Sequence, residues 1–198
     1  MPTGKPMALS KPSRVISRFY VVSIRKLVYM TMLTTGLYVL YWFYRNWAAY
    51  RYSTGDYVNP ILRSVFPVLF VYSLVSRIDQ ALKDSRVHYN WSPRLVGMGM
   101  WLVLVLCLGS GLLAPLPTGE PKHDALLEIR FMIEAILQLA GMLWVMCRIQ
   151  LAINVLEGDP RVEANSRSTR AGNGWMMFGV TLWMFIVMGL ALNLSIAF

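Results

Sequence analysis

Long runs of apolar residues, separated by short polar and basic stretches, form the main pattern along this chain. The four longest predicted segments lie at 27–44, 95–116, 127–152 and 175–198, and the third of these consists of an apolar run at 131–147 extended by polar residues on both sides. At about 1.5 Å per residue in an α-helix, runs of this length cover most or all of a hydrocarbon core about 30 Å thick. A fifth stretch, 60–78, has a shorter apolar part and contains Arg63 and Pro67, so it either crosses the membrane or is re-entrant. The pattern predicts an all-α, polytopic transmembrane helical bundle with five membrane segments.

The residues before the first run differ from the rest of the chain. Residues 1–26 are polar and basic, and we interpret them as a cytoplasmic tail that precedes a single transmembrane helical domain at 27–198. Some of the basic residues of this tail are predicted to contact anionic lipid headgroups, because anionic lipids attract basic segments that flank a membrane helix. These residues are Arg14, Arg18, Arg25 and Lys26.

The distribution of Lys and Arg distinguishes between topologies, because cytoplasmic loops of membrane proteins carry an excess of both. If all five segments cross and the N-terminus is cytoplasmic, the inside segments hold 14 basic residues and the outside loops hold three. If only 60–78 failed to cross, this bias would reverse. The first two segments therefore both cross or both fail to cross, and the C-terminus lies outside in either case.

Composition supports a membrane protein and narrows the chemistry. Apolar residues make up 56% of the 198 residues and charged residues 15%, whereas ordinary soluble domains have about 45–50% and about 25%. The net charge of +9 is explained by basic cytoplasmic loops and needs no nucleic-acid partner. The chain has two cysteines and two histidines, without metal-ligand spacing, so we predict neither a metal site nor a cofactor.

A recognisable set of motifs occupies the first two segments. Phe19-Tyr-Val-Val-Ser23 is followed by a helix end of the form GLYxxYWFYxNW, which begins at Gly36 and ends at Trp47. Together with the short second segment, residues 19–79 resemble a family of small, largely uncharacterised bacterial integral membrane proteins. The resemblance implies a location in the bacterial inner membrane, with the N-terminus cytoplasmic and the C-terminus periplasmic.

The aromatic residues of the second motif have a physical interpretation of their own. Tyr and Trp favour the headgroup depth of a bilayer, where an apolar ring and a polar atom can both be accommodated. The residues that we predict to form an interfacial aromatic belt are Tyr38, Tyr41, Trp42, Tyr44 and Trp47.

Polar residues inside the fourth segment stand out, because an ionisable group in a membrane helix costs about 2.5–3.5 kcal/mol on insertion scales. Arg130, Glu134 and Gln138 recur every four positions and share one helix face. With Arg63 and Asn193, they are predicted to form a polar cluster in the outer leaflet. Such a cluster would lock helices together through an Arg130–Glu134 pair, line a solvated cavity or ion path, or face a partner subunit.

The sequence contains no GxSxG, HExxH or P-loop motif, so we predict that the protein is not an enzyme. We interpret it as a structural or accessory protein of the inner membrane that binds anionic lipids or partner membrane proteins. The alternative is a small homo-oligomeric channel or permeation unit, with the Arg/Glu cluster at its outer mouth.

Overall fold

The computed structural model describes residues 17–115, 118–159 and 170–197, and within these ranges it contains helices and no strands. The seven helices are α1 (Ile24–Leu33), α2 (Tyr38–Thr54), α3 (Pro60–Val65), α4 (Pro67–Asp84), α5 (Pro93–Leu112), α6 (Pro121–Leu156) and α7 (Arg170–Ala197). Helix α2 packs against α3, α4 against α5, and α5 against α6, while α1 contacts both α6 and α7. The predicted all-α class is confirmed for the described residues.

A tight turn divides the first predicted segment, 27–44, into α1 and α2. Thr35 and Gly36 adopt positive φ angles of 48° and 92°, and the Gly36 N–H donates to the Thr31 carbonyl oxygen at 2.8 Å. The Thr34 hydroxyl oxygen accepts a hydrogen bond from the Tyr38 N–H at 2.9 Å and so caps the start of α2. A left-handed residue of this kind ends a helix, which explains why one apolar run forms two helices.

The second predicted segment, 60–78, is also divided. Asn59 begins α3, because its side-chain oxygen accepts hydrogen bonds from the Ile61 and Leu62 N–H groups at 3.0 and 3.2 Å. The break falls at Phe66, directly before Pro67, which is the first residue of α4. Proline has no N–H to donate and disfavours a helical conformation in the residue before it, so the helix restarts there.

Two of the described helices are long and apolar enough to cross a membrane: α5, and the Leu126–Leu156 part of α6. Helix α1 has 10 residues and α3 has 6, which at about 1.5 Å per residue span far less than a bilayer core. Helix α7 has 28 residues, and several of its side chains lie outside the described part. The predicted arrangement of five spans is therefore not confirmed.

The chain from the start of α1 to the end of α2 begins and ends at the same end of the bundle. The Phe19 ring lies 5.8 Å from the Tyr50 ring near the end of α2, and the Phe19 N–H donates to Glu157 at the end of α6. The turn between α1 and α2 reaches much further along α6, where a Cβ on Gly36 would lie 4.0 Å from Leu139 Cδ1. Helices α1 and α2 thus enter the bundle and return.

Most of the core lies at the end of the bundle where α2, α4 and α6 finish. Its largest fully buried side chains include three aromatic residues of α2, Trp42, Phe43 and Trp47, and two residues of α6, Met146 and Ile149. The opposite end of α5 and α6 has mainly exposed apolar side chains. The bundle therefore has a buried end and an exposed end, and each of them contains a candidate site.

Candidate functional site

Gln150 of α6 is fully buried and joins three parts of the chain. Its Oε1 accepts a hydrogen bond from the Trp42 indole N–H at 2.7 Å. Its Nε2 donates to the Tyr20 carbonyl oxygen at 3.0 Å and to Asn154 Oδ1 at 2.7 Å. A buried amide satisfied on both sides holds its partners firmly, because leaving any of them unpaired would be costly.

Three further side chains bind the backbone of the non-helical residues 19–23. Asn154 Nδ2 donates to the Val22 carbonyl oxygen at 3.2 Å, and the Tyr20 N–H donates to Asn46 Oδ1 at 3.2 Å. The Phe19 N–H donates to Glu157 Oε1 at 2.9 Å. We call this group the amide clamp after its three amides, Asn46, Gln150 and Asn154, and it also includes the carboxyl group of Glu157. It satisfies backbone groups that would otherwise be buried without a partner.

Sequence reasoning missed the amide clamp. Its signal was present as polar residues at 150, 154 and 157, a spacing that places them on one face of the end of α6. The partners of this face lie more than 100 residues away in the chain, so their identity required the tertiary structure.

A cavity of about 510 Å³ opens at the same end of the bundle, between residues 18–19, α2 and α4. We call it the basic cavity. Its lining contains two guanidinium groups, three hydroxyl side chains of serine and threonine, a phenol, an amide and one carboxylate. The lining residues are Arg18, Phe19, Tyr50, Thr54, Ser73, Ser76, Arg77, Gln80, Ala81 and Asp84. Guanidinium and hydroxyl groups together are suited to binding the oxygens of an anion.

Arg77 is held in the wall of the basic cavity by two groups. Its Nη1 donates to the Tyr50 hydroxyl and to Asp56 Oδ2, the latter at 3.1 Å. Tyr50 also donates to Asp56 Oδ2 at 2.8 Å. Hydrogen bonds from Tyr50 and Arg77 lower the pKa of Asp56, which keeps this exposed carboxylate ionised and Arg77 oriented.

Arg63, predicted to belong to the outer-leaflet cluster, instead lies beside the aromatic residues of the core. Its guanidinium carbon is 4.1 Å from the centre of the Trp47 ring and 5.1 Å from that of Phe70. Arg77 lies 5.9 Å from the same Trp47 ring, on the side of the basic cavity. Such contacts contribute about 0.5–2 kcal/mol each when water is partly excluded.

The predicted aromatic residues divide between core and surface. Tyr38, Trp42 and Trp47 are fully buried, Tyr41 is half-buried, and Tyr44 is exposed. Trp42 is accommodated in the core because Gln150 accepts its indole hydrogen. The structure therefore brings three of the five residues into the protein core rather than onto a surface facing headgroups.

The basic residues predicted to contact lipid headgroups also differ in their exposure. Arg18 and Arg25 are exposed, and Arg18 also lines the basic cavity. Lys26 is buried, so it is not presented to a membrane surface with the others. Arg14 lies outside the described residues. Burial of Lys26 follows from its place on the inner face of α1, beside the buried Leu27 and Met30.

Glu134 and Gln138 meet in a groove between α5 and α6. Gln138 Nε2 donates to Glu134 Oε1 at 3.1 Å and to Ser110 Oγ at 3.2 Å. Arg130 is exposed and forms no ion pair among the described residues. The side chain of Asn193 lies outside the described part. Of the predicted cluster, the structure brings together Glu134 and Gln138, while Arg63 lies with Trp47 and Phe70.

Among the described residues, no group of three or more His, Cys, Asp or Glu side chains converges. Comparisons of the chain with protein-family models, with curated proteins and with solved structures find no match. The resemblance of residues 19–79 to a bacterial membrane protein family stays a prediction.

Proposed function

We propose that this chain is a multi-pass protein of the bacterial inner membrane that acts as a structural or accessory subunit and binds anionic lipid headgroups. In this proposal α5, α6 and α7 cross the bilayer, and α1–α4 pack against them from the cytoplasmic side. The N-terminus is then cytoplasmic and the C-terminus periplasmic. The observation that carries the lipid-binding function is the basic cavity.

The return of α2 to the end where α1 begins supports three spans rather than five. With three spans, every Lys and Arg except Lys122 and Arg130 falls on the cytoplasmic side. This asymmetry is stronger than the one calculated for five spans, since Arg45 and Arg51 no longer lie outside. Residues 175–198 contain no Asp, Glu, Lys or Arg, which suits α7 to the hydrocarbon core.

The basic cavity supports an anionic lipid as the ligand. Arg18 and Arg77 provide two positive charges, and the hydroxyls of Ser73 and Ser76 provide donors for phosphate oxygens. Asp84 is the one carboxylate in the lining, and Asp56 pairs with Arg77 beside it, so we base the proposed contact with an anion on Arg18. In the proposed topology the cavity opens at headgroup depth on the cytoplasmic leaflet, whose anionic lipids attract basic groups.

Accessibility labelling tests the topology. In a background with Cys107→Ala and Cys147→Ala, a membrane-impermeant maleimide added to spheroplasts should label Glu120→Cys and leave Tyr57→Cys unlabelled until the membrane is opened. Both positions are exposed in the structure, so lack of labelling reports sidedness. Labelling of Tyr57→Cys in intact spheroplasts would contradict three spans and support five.

Lipid retention tests the function. The full chain is incubated in detergent with phosphatidylglycerol or phosphatidylcholine, and bound lipid is counted by native mass spectrometry. We expect preferential retention of phosphatidylglycerol and a roughly tenfold weaker affinity in Arg18→Gln, because a hydrogen bond to a charged group contributes about 1.5–3 kcal/mol. Arg51→Gln is the matched control, since Arg51 is exposed, does not line the cavity and is not among the residues predicted to contact headgroups. Equal retention of both lipids, or equal effects of both variants, would contradict the proposal.

An excess of inorganic phosphate distinguishes the headgroup from the bare anion. If the acyl chains contribute to binding, phosphate should not displace phosphatidylglycerol from the wild-type protein. Displacement by phosphate alone would contradict a lipid ligand and assign the basic cavity to a soluble anion.

A further inference from the structure

The groove between α5 and α6 carries a carboxylate at membrane depth. It has a volume of about 430 Å³, and its polar lining is Ser110, Glu134 and Gln138. The rest of the lining is mostly small, with Gly111 and Ala114 among its residues. In the proposed topology this groove faces lipid. A carboxylate in that position favours an opposite charge, because an unpaired ionisable group in a bilayer is costly.

Arg130 is the cation closest to Glu134 in sequence along this face. The two residues are four positions apart, or about 6 Å along the helix axis, and lie on the same side of α6. Arg130 is exposed and forms no ion pair among the described residues. The groove side of α6 thus presents one positive and one negative charge in adjacent turns.

We propose that a second copy of this chain docks on this groove, with Arg130 of each copy paired to Glu134 of the other. Two copies with the same orientation in one membrane are related by a two-fold axis along the membrane normal, so their α6 helices are parallel. The same residue in each copy then lies at the same depth in the membrane. The side chain of each Arg130 must extend about one helical turn along the membrane normal to meet Glu134 of the other copy. A two-fold interface forms every such contact twice.

The shape of the groove supports a close helix approach. Ser110, Gly111 and Ala114 of α5 and the residues just after it have little side-chain bulk, and small residues allow helices in a membrane to pack closely. Charge complementarity selects a second copy as the occupant, because the same face supplies both members of the ion pair. The proposal rests on α6 crossing the membrane, as proposed above, and does not depend on lipid binding at the basic cavity.

Charge reversal in two separately tagged copies tests the pairing. Full-length chains with different affinity tags are co-expressed, solubilised in mild detergent and captured by one tag, and the co-captured fraction of the other is measured. Wild type should capture wild type. Arg130→Glu expressed with itself, and Glu134→Arg expressed with itself, should each lose roughly tenfold in capture, the change that about 1.4 kcal/mol produces.

The decisive sample combines Arg130→Glu in one tagged copy with Glu134→Arg in the other. Each copy then has two like charges of its own, and the two copies are complementary to each other, so capture should return towards the wild-type level. A contact within one chain cannot be restored by this mixture. Recovery would also show that both variants fold.

Glu128→Arg is the matched control, because Glu128 is exposed and lies two positions from Arg130, on a different side of α6. It should leave capture unchanged. The proposal would be overturned by absent capture between wild-type copies, by unchanged capture in the two self-paired variants, or by a mixture no better than either variant alone. Lipid retention at the basic cavity is measured separately, so failure here is distinguishable from failure of the proposed function.

Discussion

The two halves of α6 both contain many apolar residues, and these residues have opposite surroundings. Residues of the first half, such as Ile133 and Leu137, are exposed, whereas Met146, Ile149 and Ile153 of the second half are fully buried. Helix α5 lies along both halves, with Gly99 beside Val145 in the second and Ser110 bonded to Gln138 in the first. The second half is also bonded to residues 19–22, through Gln150 and Asn154. Apolar side chains therefore serve two purposes in one helix. In one half they form a protein core, and in the other they form a surface suited to lipid.

Polar residues show the same difference. Gln150 in the buried half has all its partners inside the protein, and these partners come from α2, α6 and the N-terminal residues. Gln138 in the exposed half binds the neighbouring Glu134 and Ser110, at the edge of an open groove. An amide in the buried half thus determines how distant segments assemble. Among the described residues, the amide in the exposed half joins only α5 and α6, which are neighbours in the chain.

Replacing the two glutamines should give the largest contrast. In Gln150→Leu the Trp42 indole N–H and the Tyr20 carbonyl oxygen lose their partner, and each orphaned buried group costs about 1–3 kcal/mol. We expect the free energy of unfolding in detergent micelles, measured by tryptophan fluorescence, to fall by about 3 kcal/mol. Gln138→Leu should cost under about 1 kcal/mol, in line with the modest value of most hydrogen bonds between membrane helices. Equal losses would show that the two halves of α6 do not differ in this way.

The contact between α1 and α7 should give an intermediate effect. A Cβ on Gly179 would lie 2.8 Å from the Leu33 carbonyl oxygen, which is too close without a shift of the helices. We therefore expect Gly179→Ala to reduce the free energy of unfolding by about 1–3 kcal/mol. Gly174→Ala is the control, since a Cβ added there would meet no described atom within 4 Å and alanine favours a helix. Unfolding followed by tryptophan fluorescence reports both, because Trp175 of α7 contacts Tyr38 at the start of α2, close to this interface.

The carboxyl groups of Asp56 and Glu157, which follow the ends of α2 and α6, should make the stability depend on pH weakly and in opposite directions. Burial raises the pKa of Glu157, so its ionised form destabilises the fold, and wild-type stability rises as pH falls through the folded-state pKa. Glu157→Gln should be more stable than wild type at neutral pH, with the gap closing in acid. The pKa of Asp56 is lowered by Tyr50 and Arg77, so the stability it contributes is lost as pH falls. Asp56→Asn should be less stable than wild type at neutral pH, again with the gap closing in acid.

At each pH, the free energy of unfolding of the wild type is subtracted from that of the variant. This subtraction cancels the contribution of titratable groups common to both proteins. A gap of the same sign for Glu157→Gln and Asp56→Asn at neutral pH would contradict the assigned causes. The Glu157→Gln variant keeps the hydrogen bond from the Phe19 N–H, because a carboxylate and an amide each provide an oxygen as the acceptor.

The apolar runs alone were sufficient to predict three of the helices. The stretches 95–116, 127–152 and 175–198 overlap α5, α6 and α7, because a predominantly apolar stretch of this length satisfies its backbone hydrogen bonds most simply as a helix. The first two segments were less well predicted. Their apolar residues are continuous through Gly36 and nearly so through Pro67, while the backbone turns at the first and restarts at the second.

The candidate sites divide along the same line. Glu134 and Gln138 were predictable as neighbours because they are one helical turn apart, and local spacing determines such contacts. The amide clamp and the basic cavity were not predictable. They combine the N-terminal residues with α2, α4 and α6, and nothing in the local sequence indicates which polar side chain meets which backbone group.

Composition and the lengths of the apolar runs by themselves determined that this protein is helical and suited to a membrane, because both properties depend on transfer free energies summed over neighbouring residues. The tertiary structure alone decided which apolar residues form a core. Trp42 is buried because Gln150, more than 100 residues later, accepts its indole hydrogen. Contacts between distant residues depend on where the chain turns. The turn at Gly36 reverses the chain direction between α1 and α2, and so it decides which residues of α2 lie beside α6.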